Sequence, residues 1–590
     1  MNMRNIYYSI VFLFVALVVT SCKKDFLDRT PSADLDEEKV FSDPALAANY
    51  ADNAYNHLID DYARFNAHRG TTAQASDEAV SGNTDVSVRT LNQGLFHDHY
   101  ERGGASLNDI GDVWDRAYAG IRITNVMLSK MSTIPWGNSS QNPSRIEGEM
   151  HFIRAFLYFE LIKRFGGVPI FDEAASIFDD IDIPRNTYQE CLDFILADID
   201  KAAGLLPNEY NASNYGRATK GAALALKARA LLYAASPLNN PTNDVAKWKA
   251  AADAANAVRN LKIYDLEPNY KNILTTAGTQ SKEYIMIKVR PPRVIDGFLL
   301  DFVMSPGSGG AQGSMNPTQN HVDMYEAVKK DGSGNIISSA LISDPNSGYN
   351  PHKPYENRDP RFYANILYND ATWQGRKMGM WSQYNPTDDN YSYGADFRPN
   401  NIIYSATRYY CRKMWPEVYV RNTTQRALLN YVFFRYTEVM LNYAEALNEA
   451  EGPVAAVYSA IDSVRARGKG MENHGLTPVP KEDQVAMPPL PSGLTQAQMR
   501  EAIRHERAVE MAFEDFRWYD LIRWKKAKEV LTQPVKAMDV VRNANGTFTY
   551  NVVTLPIIYQ KKFDDYMYLY PIPRREVFKS DGILKQNPGW

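Results

Sequence analysis

Cysteine is almost missing from this 590-residue chain, which has three: Cys22, Cys191 and Cys411. The last two lie far apart on segments that read as helix and strand. They cannot frame a protein of this size, so they read as buried free thiols, with one disulfide as the alternative. Blocks of one charge are also lacking. Net charge is -4, and no basic run supplies the footprint that a phosphate backbone requires, which argues against nucleic acid as a partner. There is no G-x-S-x-G, no phosphate-binding loop, no H-E-x-x-H and no C-x-x-C, so nothing in the sequence proposes a reaction. The close pair His97 and His99 flanks Asp98 and could take a metal, but reads better as part of a surface loop. No cofactor or metal is expected.

Long apolar runs are confined to the start. Arg4 precedes an unbroken apolar stretch at 10–19, followed by Thr20, Ser21 and Cys22. That run is shorter than the ~20 residues a membrane-crossing helix needs, but it suits the apolar region of an export signal ahead of a small-residue cleavage site. Val19-Thr20-Ser21-Cys22 resembles the lipobox of bacterial lipoproteins, in which the cysteine is acylated and becomes the new terminus. Two or more chains on Cys22 would hold firmly in a membrane where one holds marginally. The expected layout is a signal at 1–21 and a lipidated tether at 22–43. The remainder, at 44% hydrophobic and 23% charged overall, has the composition of a globular protein able to bury a large core.

What the sequence has in plenty is helical periodicity and aromatics. A first helix is expected over 44–60, capped by Ser42 or Asp43 with Pro44 in its first turn. Further helices are expected at 109–131, 146–165 and 188–205. A closely packed pair follows, carrying Leu224, Ala228, Leu231, Leu232 and Ala235, then Trp248, Ala251, Ala252, Ala255 and Val258. Tyr436, Val439, Met440, Tyr443, Ala444 and Leu447 form another stripe, and Pro453 opens its partner helix. Antiparallel helix pairs repeated along a chain resemble tetratricopeptide-type stacking. Residues 66–108 lack periodicity and read as a long insertion, of the sort that is often functional. Residues 271–430 are dense in Pro, Gly, Asn, Tyr and Trp and predict loops with short strands, one of them at 284–289. Regular helices return at 496–513 and 516–528, before a last irregular part.

Four stretches together resemble the SusD/RagB-like family of nutrient-binding outer-membrane lipoproteins. They are Ser21-Cys22-Lys23-Lys24-Asp25-Phe26-Leu27-Asp28; the helix Phe434-Arg435-Tyr436-Thr437-Glu438-Val439-Met440-Leu441-Asn442-Tyr443-Ala444-Glu445-Ala446; Glu506-Arg507 to Phe513-Glu514 with Arg517-Trp518-Tyr519-Asp520-Leu521-Ile522-Arg523-Trp524; and the terminus built on Tyr568-Leu569-Tyr570-Pro571-Ile572-Pro573 and Gln586-Asn587-Pro588-Gly589-Trp590. The resemblance implies a mostly α fold, a superhelix of tetratricopeptide-like helix pairs with an irregular, loop-rich ligand-binding half containing short strands. The helical part would span 44–270, the ligand-binding part 271–430 and the C-terminal family region 431–590. It also implies a surface lipoprotein anchored through Cys22, which binds oligosaccharides and passes them without catalysis to a SusC-like TonB-dependent barrel transporter. The alternatives are a structural lid for that transporter, or a binder of peptides or glycoconjugates.

These shared motifs read as structural. Glu438, Asn442, Glu445 and Glu449 fall on one helix face and suit a solvated or interhelix polar face better than paired catalytic acids, which must oppose each other across a cleft. Arg517, Trp518, Arg523 and Trp524 read as packing at a domain junction. A pyranose shows an apolar C–H face and a rim of hydroxyls, so a site for it needs flat aromatics beside fixed polar groups. The richest such supply is Trp373, Trp381, Tyr384, Tyr391 and Tyr393, with Asn385, Asp389, Asn390 and Arg398 among them. A second supply is Phe96, Tyr100, Asp77 and Arg69 in the insertion.

Overall fold

The computed structural model describes residues 37–59, 71–82, 87–95, 98, 109–174, 183–275, 281–289, 303–309, 312–419, 428–469 and 479–590. The export signal, Cys22 and most of the tether lie outside them, as do Arg69, Phe96, His97, His99 and Tyr100. The end of the stretch read as tether is helical: Glu37–Ser42 forms a short helix that buries Phe41.

Helix α1 (Pro44–Asp52) begins where the Asp43 carboxylate accepts from the amides of Ala45 and Leu46, with proline in the first turn. It passes into a 3-10 turn, Asn53–His57, so the second half of the expected helix is wound more tightly. Then come α2 (Asp109–Lys130), α3 (Pro143–Phe165), α4 (Tyr188–Leu205), α5 (Lys220–Ala235), α6 (Val245–Arg259), α7 (Tyr436–Glu451), α8 (Ala455–Arg465) and α9 (Gln496–Glu510). Each packs on the next from α2 to α8, and α9 packs on α7, giving a continuous stack. Local signals set the ends. Thr187 with Glu190 and Thr495 with Gln498 form capping boxes, and α3 stops at Gly166, whose φ of 72° a side chain would resist. Small residues set the spacing: Ala235, Ala251 and Ala444 are buried where α5, α6 and α7 meet.

The acidic face of α7 is an interhelix face and is buried. Glu438 accepts from Arg229 of α5, Asn442 from Arg507 of α9, and Glu449 from Arg500 of α9. Glu445 accepts from both the guanidinium of Arg523 and the indole N–H of Trp524. Arg523 and Trp524 end α10 (Arg517–Arg523), which is followed by α11 (Ala527–Leu531). The single helix expected over 516–528 is therefore two, separated where Lys525 adopts φ 54°.

Two hydrophobic cores meet at this corner. Val509, Ala512 and Phe513 belong to the core of the loop-rich half, whereas Trp518, Tyr519, Leu521 and Trp524 belong to that of the helical stack. Between them lies a buried ion network in which Glu510 accepts from Arg361, Arg435 and Arg467, and Glu283 from Arg435 and Arg467. Burial works to raise the pKa of Glu510 but the three arginines outweigh it and hold the carboxyl well below its ordinary range. Cys191 and Cys411 are both buried free thiols.

The strands are short, and those that bear on the junction and the site are β1 (Tyr284–Lys288), β2 (Ser382–Asn385), β3 (Asn390–Tyr393), β4 (Tyr431–Arg435), β5 (Lys536–Arg542) and β6 (Phe548–Thr554). β1 and β4 pair antiparallel, with Tyr284 opposite Arg435, and β4 runs straight into α7. β3, β2, β5 and β6 form one sheet in that order, in which the hairpin of 382–393 is joined to the hairpin of 536–554 by a parallel contact of Ser382 with Val541. That second hairpin lies in the part expected to be irregular. The insertion also departs from expectation. Thr71 to Gly82 are buried throughout, with a short helix Thr72–Ala75 and a strand Ala79–Ser81 paired to Met315–Pro317. Its polar side chains face protein: Gln74 donates to the Ser314 carbonyl, and Glu78 accepts from the Phe513 amide.

Candidate ligand-binding site

The β2–β3 hairpin carries Tyr384, Tyr391 and Tyr393, three of the five aromatics in the richer supply. Its register sets Tyr384 opposite Tyr391 and Ser382 opposite Tyr393, and alternation puts all three tyrosines on one face. Tyr384 and Tyr391 are 45% and 54% exposed, with ring centroids 5.2 Å apart. Tyr391 and Tyr393 lie nearly parallel, 13° between planes at 6.2 Å, and Tyr393 packs edge-on against buried Phe397. The result is a row of rings running from solvent down to the core.

The turn is fixed by its own polar residues. Asp389, at φ 48°, accepts from the Tyr384 hydroxyl at 2.7 Å, which raises that phenol's pKa and keeps it a neutral donor. The amide of Asn385 donates to Asp388, and the side-chain oxygen of Asn390 accepts from the Tyr391 amide. At the base, Asp396 accepts from both ends of Arg376 at 2.7 Å and from the Gly379 amide at 2.8 Å. A Cβ on Gly394 would stand 2.2 Å from the Gly379 carbonyl oxygen, so only glycine lets the two chains approach here. Arg398 donates to the carbonyls of Gly394 and Phe397, and its guanidinium lies 5.9 Å from the rings of Tyr393 and Tyr404.

Two supports come from β5, in the part expected to be irregular. Arg542 lies 5.0 Å over the half-buried Trp381 ring and donates to Gln383. Asp539 accepts from Arg408, whose guanidinium packs on Phe397 and also donates to the Met380 carbonyl. A signal for this strand pair exists: Asn545-Gly546 between runs of Val, Thr and Tyr is a hairpin signature.

Trp381, Tyr384, Asn390, Tyr391, Tyr393 and Arg398 are thus brought together. Trp373 and Asp77 are not with them. Trp373 is 1% exposed, set against Trp415 at 5.3 Å under the Arg412 guanidinium, and has no face to offer a ligand. Asp77 is buried and accepts from Arg517 through both oxygens, at 2.8 and 2.9 Å. Burial pushes its pKa up, but Arg517 more than compensates and the carboxyl titrates below its ordinary value. Asp77 therefore ties the insertion to the junction. Among the described residues no group of three or more His, Cys, Asp or Glu is placed to hold a metal ion.

Residues 272–590 match the family described as "SusD family", and residues 25–232 match one described as "Starch-binding associating with outer membrane". SusD-like protein P2 of Formosa agariphila is 25% identical over 590 residues, covering 99% of each chain. A SusD-like protein of Bacteroides fragilis has the same fold with a TM-score of 0.73 at 27% identity, over 95% of this chain and 100% of the other. A second structure from that organism, described as a SusD-like carbohydrate binding protein, superposes with a TM-score of 0.69 at 23% identity, over 92% and 99%.

Proposed function

Since the chain belongs to the SusD family, we propose that it is an outer-membrane surface lipoprotein, anchored through Cys22, that captures oligosaccharides and hands them unaltered to a TonB-dependent barrel transporter. The observation that carries the ligand class is the exposed tyrosine face of β2–β3. Rings held by strand pairing and by the Asp389 contact lose little side-chain entropy when a sugar lies on them, and their π faces suit its C–H face. Asn390 and Arg398 are exposed beside the rings and supply polar groups for the hydroxyl rim. The likeness to a SusD-like carbohydrate binding protein, and the match of residues 25–232 to a family of starch-binding proteins associating with the outer membrane, support the same class.

The test is isothermal titration of the mature protein with a panel of neutral oligosaccharides, followed by chromatography of the recovered sugar. Saturable binding in the micromolar to millimolar range is expected, with sugar recovered at its original length. Absence of binding across the panel, or shortened products, would contradict the reading.

A further inference from the structure

Two adjoining cavities share no lining residue with the hairpin. The larger, about 600 Å³, is enclosed by the loop between α4 and α5, the connection after α6, and β1. The smaller, about 310 Å³, shares Tyr215, Gly216, Arg217, Met286 and Ile287 with it and extends to Asp52, Tyr55 and Phe433. Both volumes fall within the range of small-molecule sites, roughly 300–1,000 Å³, the smaller at its lower limit.

The walls are built closely. Gly216, shared by both cavities, has φ 95°, and a Cβ there would stand 2.6 Å from Val289, so the turn can lie on the end of β1 only as glycine. A Cβ on Gly221 would overlap the Tyr264 hydroxyl, so that ring lies flush on the first turn of α5. Tyr210, Tyr215, Tyr264 and Tyr284 all line the larger cavity. The Tyr284 hydroxyl donates to the Ile273 carbonyl, and Tyr264 bonds Thr219. Burial, with Tyr264 as a neighbour, pushes the Tyr215 phenol up to about 12, so it stays neutral. The cavity therefore has fixed aromatic walls over an aliphatic floor of Ile285 and Ile287.

Its charge is distinctive. Arg217 is already neutralised, donating to both oxygens of Asp52 at 2.6 and 2.7 Å and to Glu149 at 3.2 Å. Lys262 and Lys282 are exposed on the lining and have no ion-pair partner among the described residues. The one carboxylate of the larger lining is Glu209. Held rings beside two available ammonium groups suit a sugar that carries an acidic substituent.

We propose that this cavity is a second saccharide site, distinct from the tyrosine hairpin, which takes a short oligosaccharide bearing a carboxylate or sulfate, with Lys262 and Lys282 receiving the acidic groups. The site stands whether or not the hairpin binds sugar. The test is isothermal titration of the mature protein with digalacturonate, with a sulfated galactose disaccharide, and with neutral digalactose as reference. The Lys262→Ala/Lys282→Ala and Tyr384→Ala/Tyr391→Ala variants are titrated in parallel. All four positions are exposed, so both variants are expected to retain the fold, which an unaltered urea midpoint checks.

At least one acidic disaccharide should bind one-to-one and more tightly than digalactose. Its affinity should fall with added salt and drop about tenfold in the lysine variant, the loss expected of two partly exposed charge contacts. It should be unchanged in the tyrosine variant. Whichever acidic sugar binds tighter identifies the preferred substituent. No saturable heat with either acidic sugar, equal affinity in the lysine variant, or loss of binding only in the tyrosine variant would overturn the proposal.

Discussion

Trp373 and Trp381 carry the same indole into different surroundings. The first is enclosed by Trp415 and Arg412, and the second is half-buried under Arg542. Replacing Trp373 by alanine leaves a cavity in a close-packed core, and should lower unfolding stability by about 3–5 kcal/mol in a urea titration. Tyr391→Ala removes a side chain that is more than half exposed and should shift stability by less than about 1 kcal/mol. Sugar affinity is expected to respond to the second substitution directly, and to the first only through folding. Composition alone cannot tell these aromatics apart, because burial is decided by Trp415 and Arg412, far along the chain from Trp373.

At the scale of elements, α7 shows how a polar stripe can be structural. Glu445 is buried, and although burial would raise its pKa, Arg523 and Arg507 hold it near 2. Glu445→Ala would leave Arg523 and the Trp524 N–H without that partner inside the junction, a change that costs about 3–5 kcal/mol for a buried pair. Urea midpoints would measure it, and a loss under about 1 kcal/mol would mean that the pair relaxes to other partners. Glu283 and Glu326 are likewise held near 2 by their arginines against the effect of burial. A folded pKa below the ordinary 4.5 gives stability that is present above that pH and is lost as pH falls through the folded value. Stability should therefore drop steeply between about pH 4.5 and 2. Glu78, which burial lifts to about 8, works in the opposite sense, and its contribution weakens as pH rises from 4.5 toward 8.

The helices were legible for the reason α7 illustrates: stripes such as Tyr436, Val439, Met440 and Tyr443 repeat at helical spacing, and Thr187 with Glu190 marks a start. The hairpin of 536–554 was expected to be irregular although Asn545-Gly546 signals its turn; β6 beyond that turn is mostly exposed. Thr71 to Gly82 was not legible as core. Its Gln74, Asp77 and Glu78 are buried through partners at Ser314, Arg517 and Phe513, and no local window contains those pairings. For the same reason the hairpin tyrosines could be named from the sequence, whereas their braces Arg542 and Asp539 could not.

On the scale of the whole molecule, the two largest cores among the described residues meet at the corner of α9 and α10, with the tyrosine hairpin belonging to the loop-rich half, while Cys22, the proposed anchor, lies near the start of the chain. Attachment and recognition should then separate. Cys22→Ser is expected to abolish incorporation of labelled palmitate and release the protein from the membrane fraction, while leaving oligosaccharide affinity within about twofold of the wild type. Palmitate incorporation that survives the substitution would place the anchor elsewhere.

The central claim is that sugars are gripped on the exposed rings of β2–β3. Its most direct measurement is titration of the Tyr384→Ala/Tyr391→Ala variant with the neutral oligosaccharide that binds the wild type best. The account predicts at least about a tenfold loss of affinity, as expected when two aromatic platforms are removed, with an unaltered urea midpoint. Undiminished affinity in a folded variant would contradict it.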